Sequence, residues 1–264
     1  MRRIYSFLFL LLSAHLINAD TVTPFSLSST LQSLKQSNRA VPKEFEVSRL
    51  DPEIVDVLNK YYRSLGGSES WGKIDTLLLK GLVRFPGGES LEFKNYRMKP
   101  DLNKLVLHLP NGYEIIQCFN GKEAWQWLTF EESKPILMTV EQSVNYIRDA
   151  CLGGHLLYPQ LEGKELLLGS GSTDSSTCQF VEVVLPNGQN IKYTLSVLGY
   201  LIAEETEISY SGVTRRVEMS DFKRISGTAI PFEGKTYIDG VLSQEVSIES
   251  VVLNKGVYSW MFEM

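Results

Sequence analysis

Residues 74–98 read IDTLLLKGLVRFPGGESLEFKNYRM, and the spacing of apolar side chains in this stretch points to the class of structure. Leu77, Leu79, Val83 and Phe85 alternate with Leu78 and Leu82, the period of two that a β-strand requires. Gly87-Gly88 then supplies the positive φ angles of a tight turn before a second apolar run begins at Leu91.

Reading downstream, the same punctuation recurs at Asn111-Gly112, Asn120-Gly121, Asn187-Gly188, Ser211-Gly212 and Asp239-Gly240. Strand-length runs between turns of this kind predict an antiparallel meander rather than strands joined by helical crossovers. Two stretches depart from it. Thr139 to Leu152 carries Val140, Val144, Ile147 and Cys151 at helical spacing, with Thr139 and Gln142 as a capping box and Gly153-Gly154 as a stop. Gly169 to Thr177 is almost wholly Gly, Ser, Thr and Asp, and its composition predicts an exposed loop before a strand from Gln179 to Leu185.

Upstream, Asp51 caps a helix with Pro52 in its first turn. Ile54, Val55, Leu58, Tyr61, Tyr62 and Leu65 follow at helical spacing, and Gly66-Gly67 ends it. A short helical turn is expected from Ser68 to Gly72. Residues 20–50, rich in Ser, Thr, Lys and Pro, read as a loosely held lead. The expected organisation is thus a lead over 20–50 and one mainly β domain over 51–264, a curved antiparallel half-barrel with two or three short helices on its concave face.

Arg2 and Arg3 precede an apolar run from Ile4 to Leu12 that continues to Ala19, the pattern of a signal peptide cut after Ala19. No later run is comparably apolar, so the mature chain is expected to be soluble. Removal of Arg2 and Arg3 leaves 24 basic against 31 acidic residues, a net charge of −7 over about 245 residues. That acidic balance argues against nucleic acid, whose phosphates demand a basic footprint. Three cysteines, Cys118, Cys151 and Cys178, allow either one disulfide and a free thiol or three small buried apolar side chains.

Signs of catalysis are sparse. After the signal peptide the histidines are His108 and His155, in no metal-binding spacing, and there is no Cys-x-x-Cys pair or Gly-x-Ser-x-Gly elbow. Cys151 and His155, four apart near a helix end, are one example of a Cys–His nucleophile pair. No enzyme, cofactor or metal is expected.

The strands themselves suggest binding instead. Leu78 and Leu82 back Leu77, Leu79 and Val83, and Ile116 and Cys118 alternate with Ile115 and Phe119, so both faces are apolar. With few helices to cover it, such a sheet must curl, take up an apolar guest, or do both. Gln244 to Val252, apolar at Val246, Ile248 and Val252 and acidic between, reads instead as an edge facing water. Trp125 and Trp127, two apart on one strand, share a face and with Phe130 could line a cavity or anchor the core. The candidate cavity residues are Leu79, Val83, Phe93, Ile115, Trp125, Trp127, Val144 and Ile147, with a charge at Leu79 or Trp125 expected to abolish uptake.

Several short signatures, taken in order, resemble the LolA-like outer-membrane lipoprotein-sorting proteins. These are Leu65-Gly66-Gly67, Ile74 leading into Leu79-Lys80-Gly81, Lys99-Pro100-Asp101 with Lys104, and Gln117-Cys118-Phe119-Asn120-Gly121 with Ala124-Trp125. Asp221-Phe222 with Ile225, Gly227 and Ile230-Pro231, then Ser247 to Asn254, resemble the terminal strands of that superfamily. The resemblance implies a periplasmic, monomeric carrier whose half-barrel holds acyl chains of a lipid or lipid-modified protein and works with a membrane-associated partner protein. The chain differs from the sorting chaperones in its long Ser-rich lead, its second Ser-rich stretch near Gly171 and its three cysteines. A periplasmic sensor or protein-interaction module is the alternative that the same resemblance leaves open.

Overall fold

The computed structural model describes residues 50–264 apart from 158–160, 162, 174–175 and 209–210. The expected signal peptide and nearly all of the lead lie outside the described residues.

Thirteen strands form one sheet, every neighbouring pair antiparallel. The first six are β1 (Thr76–Arg84), β2 (Ser90–Met98), β3 (Leu102–His108), β4 (Glu114–Phe119), β5 (Ala124–Leu128) and β6 (Ile136–Leu137). After a helix come β7 (Glu165–Thr173), β8 (Ser176–Val184), β9 (Asn190–Ser196) and β10 (Leu201–Ile208). The series ends with β11 (Val213–Ile225), β12 (Thr228–Ile238) and β13 (Val241–Leu253).

The order across the sheet is 6-5-4-3-2-1-13-12-11-10-9-8-7. The chain therefore starts at the centre, walks to one edge, crosses over, restarts at the other edge and walks back, where β13 pairs with β1. β6 and β7 do not pair, so the sheet curves without closing, the expected half-barrel.

The six expected Gly-containing turns all fall between consecutive strands, and Gly88, Gly112, Gly121, Gly188, Gly212 and Gly240 have positive φ. The Ser-rich stretch at 169–177 is a correction. Gly169 to Thr173 belongs to β7 and Ser176 opens β8, with Gly169 opposite Phe180. A ladder is held by backbone hydrogen bonds, so a polar composition does not prevent the two strands from continuing.

β13 is a second correction, since it lies at the centre of the sheet and not at its rim. Lys80 faces Ser250 but Gly81 faces Ile248, so Glu249 is the extra residue of a bulge. The bulge switches the facing of β13, placing Val246, Ile248, Val251 and Leu253 on one side despite their mixed spacing. A Cβ at position 81 would sit 2.0 Å from the Ser247 carbonyl oxygen, which is why glycine stands there.

Among the described residues, three α-helices accompany the sheet. Helix α1 (Pro52–Ser64) is capped by Asp51, whose carboxylate accepts from the Glu53 N–H at 2.8 Å. It buries Ile54, Val57, Leu58, Tyr61 and Tyr62 against Val181, Val183, Ile191 and Tyr193 on the concave face. The carbonyl and C of Lys60 lie 2.4 and 2.3 Å from where a Cβ of Gly199 would be, so the β9–β10 turn presses directly on α1. Helix α2 (Ser68–Gly72) is one short turn. Helix α3 (Val140–Asp149) is the crossover, with the Thr139–Gln142 capping box formed as expected. Its Tyr146 hydroxyl donates to the Gln117 carbonyl at 2.9 Å and pins it across β4.

The convex face has its own cover. Val257 and the 3-10 turn after it (Ser259–Phe262), through Phe262, pack against Leu78, Val106, Ile116, Cys118 and Trp125. Lys104 Nζ and Trp125 Nε1 donate to the carbonyls of Met261 and Phe262 at 2.9 and 3.2 Å.

Candidate functional site

The central cavity of the concave face has a volume of about 310 Å³, near the lower end for small-molecule sites. Leu77 and Leu79 of β1, Ile248 of β13, Val217 and Met219 of β11 and Trp71 of α2 form much of its apolar wall. Tyr61 and Leu65 close it from the α1 side, and the turn after α3 contributes Cys151, Gly153, Gly154 and His155.

A charged floor completes it. Arg97 from β2, Arg148 and Asp149 from the end of α3, Glu204 from β10 and Arg215 from β11 all face this space. Asp149 organises them. Its carboxylate accepts from Arg148 Nε at 2.9 Å and from Arg215 Nη1, and its backbone carbonyl accepts from Arg97 Nη2. Burial alone would raise the Asp149 carboxyl, but the two guanidiniums outweigh it and hold the group well below the ordinary carboxylate range. Glu204 is shifted the other way, pushed up by burial and by Asp149.

His155 is buried and its Nε2 donates to the Arg148 carbonyl at 2.8 Å, anchoring the turn beneath the floor. Burial, aided by Lys164, lowers its pKa to about 3, so the ring is neutral. With Nε2 as donor, Nδ1 is a buried acceptor without a partner. Cys151, whose thiol donates to the Gly154 carbonyl at 3.7 Å, is pushed up to about 11 by burial. The pair therefore lacks the thiolate that a nucleophile needs. Among the described residues no three His, Cys, Asp or Glu side chains converge on a metal position. None of the three cysteines is in a disulfide and all are buried, the second of the two readings.

Of the sequence-derived candidates, Leu79 alone lines this cavity. Val83, Phe93 and Ile115 share its face of the sheet but are packed with Phe85, Leu91, Leu107 and Leu128 in a solid cluster farther along. Val144 and Ile147 are buried in α3, with Ile147 against Phe119, Ala124 and Met138. Trp125 and Trp127 need correction. Trp125 is opposite Cys118, which is opposite Lys104, then Tyr96, then Leu78, and this register places both tryptophans on the convex side. Alternation fixes which residues share a face but not which face is hollow.

The residues that the sequence reading passed over are the charged ones. Arg97 shares the inward side of β2 with Leu91 and Phe93, and Arg148 lies on the buried stripe of α3 beside Val144 and Ile147. A charge in the middle of an apolar stripe was the signal available for both.

Fold and site together define a half-barrel with a curved sheet, a helical cover and a cavity with apolar walls and a charged floor. No family model matches the chain, and no curated protein matches its sequence. Solved structures do. A LolA superfamily protein from Nitrosomonas europaea superposes with a TM-score of 0.55 at 14% identity, over 80% of this chain and 97% of that one. A DUF1329 family protein from Desulfovibrio piger gives 0.57 at 13%, over 81% and 98%. The fold is LolA-like.

Proposed function

We propose that the chain is an exported, periplasmic carrier that shelters the hydrocarbon part of a lipid or lipid-modified protein in the cavity bounded by β1, β11, α1 and α3. The observation that carries this reading is the cavity itself, whose wall is mostly aliphatic and aromatic while its surroundings are densely packed. An apolar surface left open to water costs free energy that a hydrocarbon guest recovers, at roughly 25 cal/mol per Å² covered. The helices α1 and α3 act as the lid, and handing the guest to a membrane-associated partner is the task this arrangement serves. The LolA-like fold supports the same reading. The carrier performs no chemistry and works as a monomer. Native mass spectrometry of the gently purified protein tests the proposal. A bound lipid-sized mass that detaches on activation is expected, and a protein that stays empty and takes up no offered lipid would end it.

A second reading has an observation of its own. Edge strand β6 carries the exposed apolar side chains Ile136 and Leu137, and an exposed edge can accept a strand from a partner protein. A stoichiometric protein partner in the exported fraction, with no lipid, would favour a sensor or interaction module.

A further inference from the structure

The charged floor narrows the guest. We infer that the cavity takes a single-chain amphiphile with an anionic head, the head meeting Arg97 and Arg215 while the chain lies against the Leu77–Leu79 wall. This deepens the carrier reading and rests on it.

Three observations converge. The first is charge balance around the space. Arg97, Arg148 and Arg215 face it with Asp149 and Glu204, so at least one positive charge is left over even with both acids ionised. The neighbouring ionisable groups do not correct this. Glu205 pairs with Arg216 on the other face of β10 and β11, and near Cys151 the further cation Lys164 is offset by the further acid Asp101. An uncompensated guanidinium in a largely apolar cavity favours an anion at the same place.

The second is the state of the donors. Arg97 gives Nη2 to the Asp149 carbonyl, yet its buried Nε has no partner, and the buried indole Nε1 of Trp71 has none either. Both residues stand in the cavity wall. Buried donors are paired in the great majority of proteins, so these two stand unsatisfied beside the cavity. A guanidinium is suited to carboxylate and phosphate oxygens alike, which is the shared chemistry proposed here.

The third is size. A cavity of about 310 Å³ lies at the lower end of the range for small-molecule sites. That matches one medium-length chain with its head partly outside, and it is too small for the paired chains of a diacyl lipid.

The test is competition against a bound fluorescent fatty acid, using dodecanoate, dodecyl phosphate, dodecan-1-ol and a didodecanoyl phosphatidate. Either anionic probe should compete at least about tenfold better than the alcohol, as hydrogen bonds to a charged group require. The tighter of the two identifies the head as carboxylate or phosphate. The phosphatidate should compete poorly. In Arg97→Gln and Arg215→Gln, each checked for folding by thermal unfolding, the gap between anion and alcohol should shrink to about twofold. Equal competition by alcohol and anions, or a gap that survives in both variants, would overturn the anionic head while leaving a lipid carrier standing. A phosphatidate that competes as well as dodecanoate would overturn the single chain. Failure of every probe, including the fluorescent one, would remove the carrier reading as well.

Discussion

Single residues separate structure from function here because the two faces of one strand lead to different places. Leu79 and Trp125 look equally suited to a cavity in the sequence, yet Leu79 faces the hollow while Trp125 lies beneath Phe262. Trp125→Phe should therefore cost about 1 kcal/mol, the worth of its bond to the Phe262 carbonyl, without altering ligand uptake. Urea unfolding beside a binding titration checks both halves.

His155 makes a second prediction at this scale. Its folded pKa is about 3 and its ordinary value about 6.5, so between those values the unfolded chain binds the extra proton. Stability should rise with pH across that window and be lost as the pH falls through it, by a few kcal/mol at about 1.4 kcal/mol per pKa unit. Asp149, held below the ordinary carboxylate range, adds a loss at still lower pH, and Glu204, shifted upward, opposes part of the slope. His155→Gln should flatten the limb between about pH 6.5 and pH 3, read as urea midpoints against pH, because the neutral amide keeps a donor for the Arg148 carbonyl.

At the scale of elements, the helices and most hairpins were legible in the sequence for local reasons. Asp51, the Thr139–Gln142 box and the Gly-containing turns are short-range devices whose meaning does not depend on the rest of the chain. What local pattern could not reveal was neighbourhood. β13 looked like a wet edge because the Glu249 bulge scrambles its alternation and because nothing local announces that it pairs with β1, some 170 residues away. The two-faced apolar strands were likewise read as one signal when they have two causes, the C-terminal turn covering one face and the cavity lying on the other.

The seam between β1 and β13 depends on Asn254. Its side-chain oxygen accepts from the Asp75 and Thr76 N–H groups at 2.7 and 3.2 Å, and its Nδ2 donates to the Lys73 carbonyl at 2.7 Å. Asn254→Ala should thus lower stability by about 1–3 kcal/mol, visible in the urea midpoint, because β1 and β13 are the strand pair through which the two halves of the sheet meet.

For the whole molecule, no cysteine is in a disulfide, so covalent cross-links contribute nothing to stability. The folded protein should resist a thiol reagent over minutes, and three thiols should react on unfolding. Buried in this way, these side chains serve as small apolar core residues. The charged floor was the least legible feature, since Arg97, Asp149, Glu204 and Arg215 come from four elements that only the curved sheet brings together.

The central claim is that hydrocarbon enters on the concave side of β1 and nowhere else. It is tested most directly by titrating a fluorescent fatty acid into the wild-type chain, Leu79→Asp and Leu82→Asp, the last two differing by three positions and by the face they occupy. One probe per chain should bind to the wild type and to Leu82→Asp, while Leu79→Asp, folded by circular dichroism, should bind none. Undiminished binding by Leu79→Asp, or no binding by the wild type, would contradict the account.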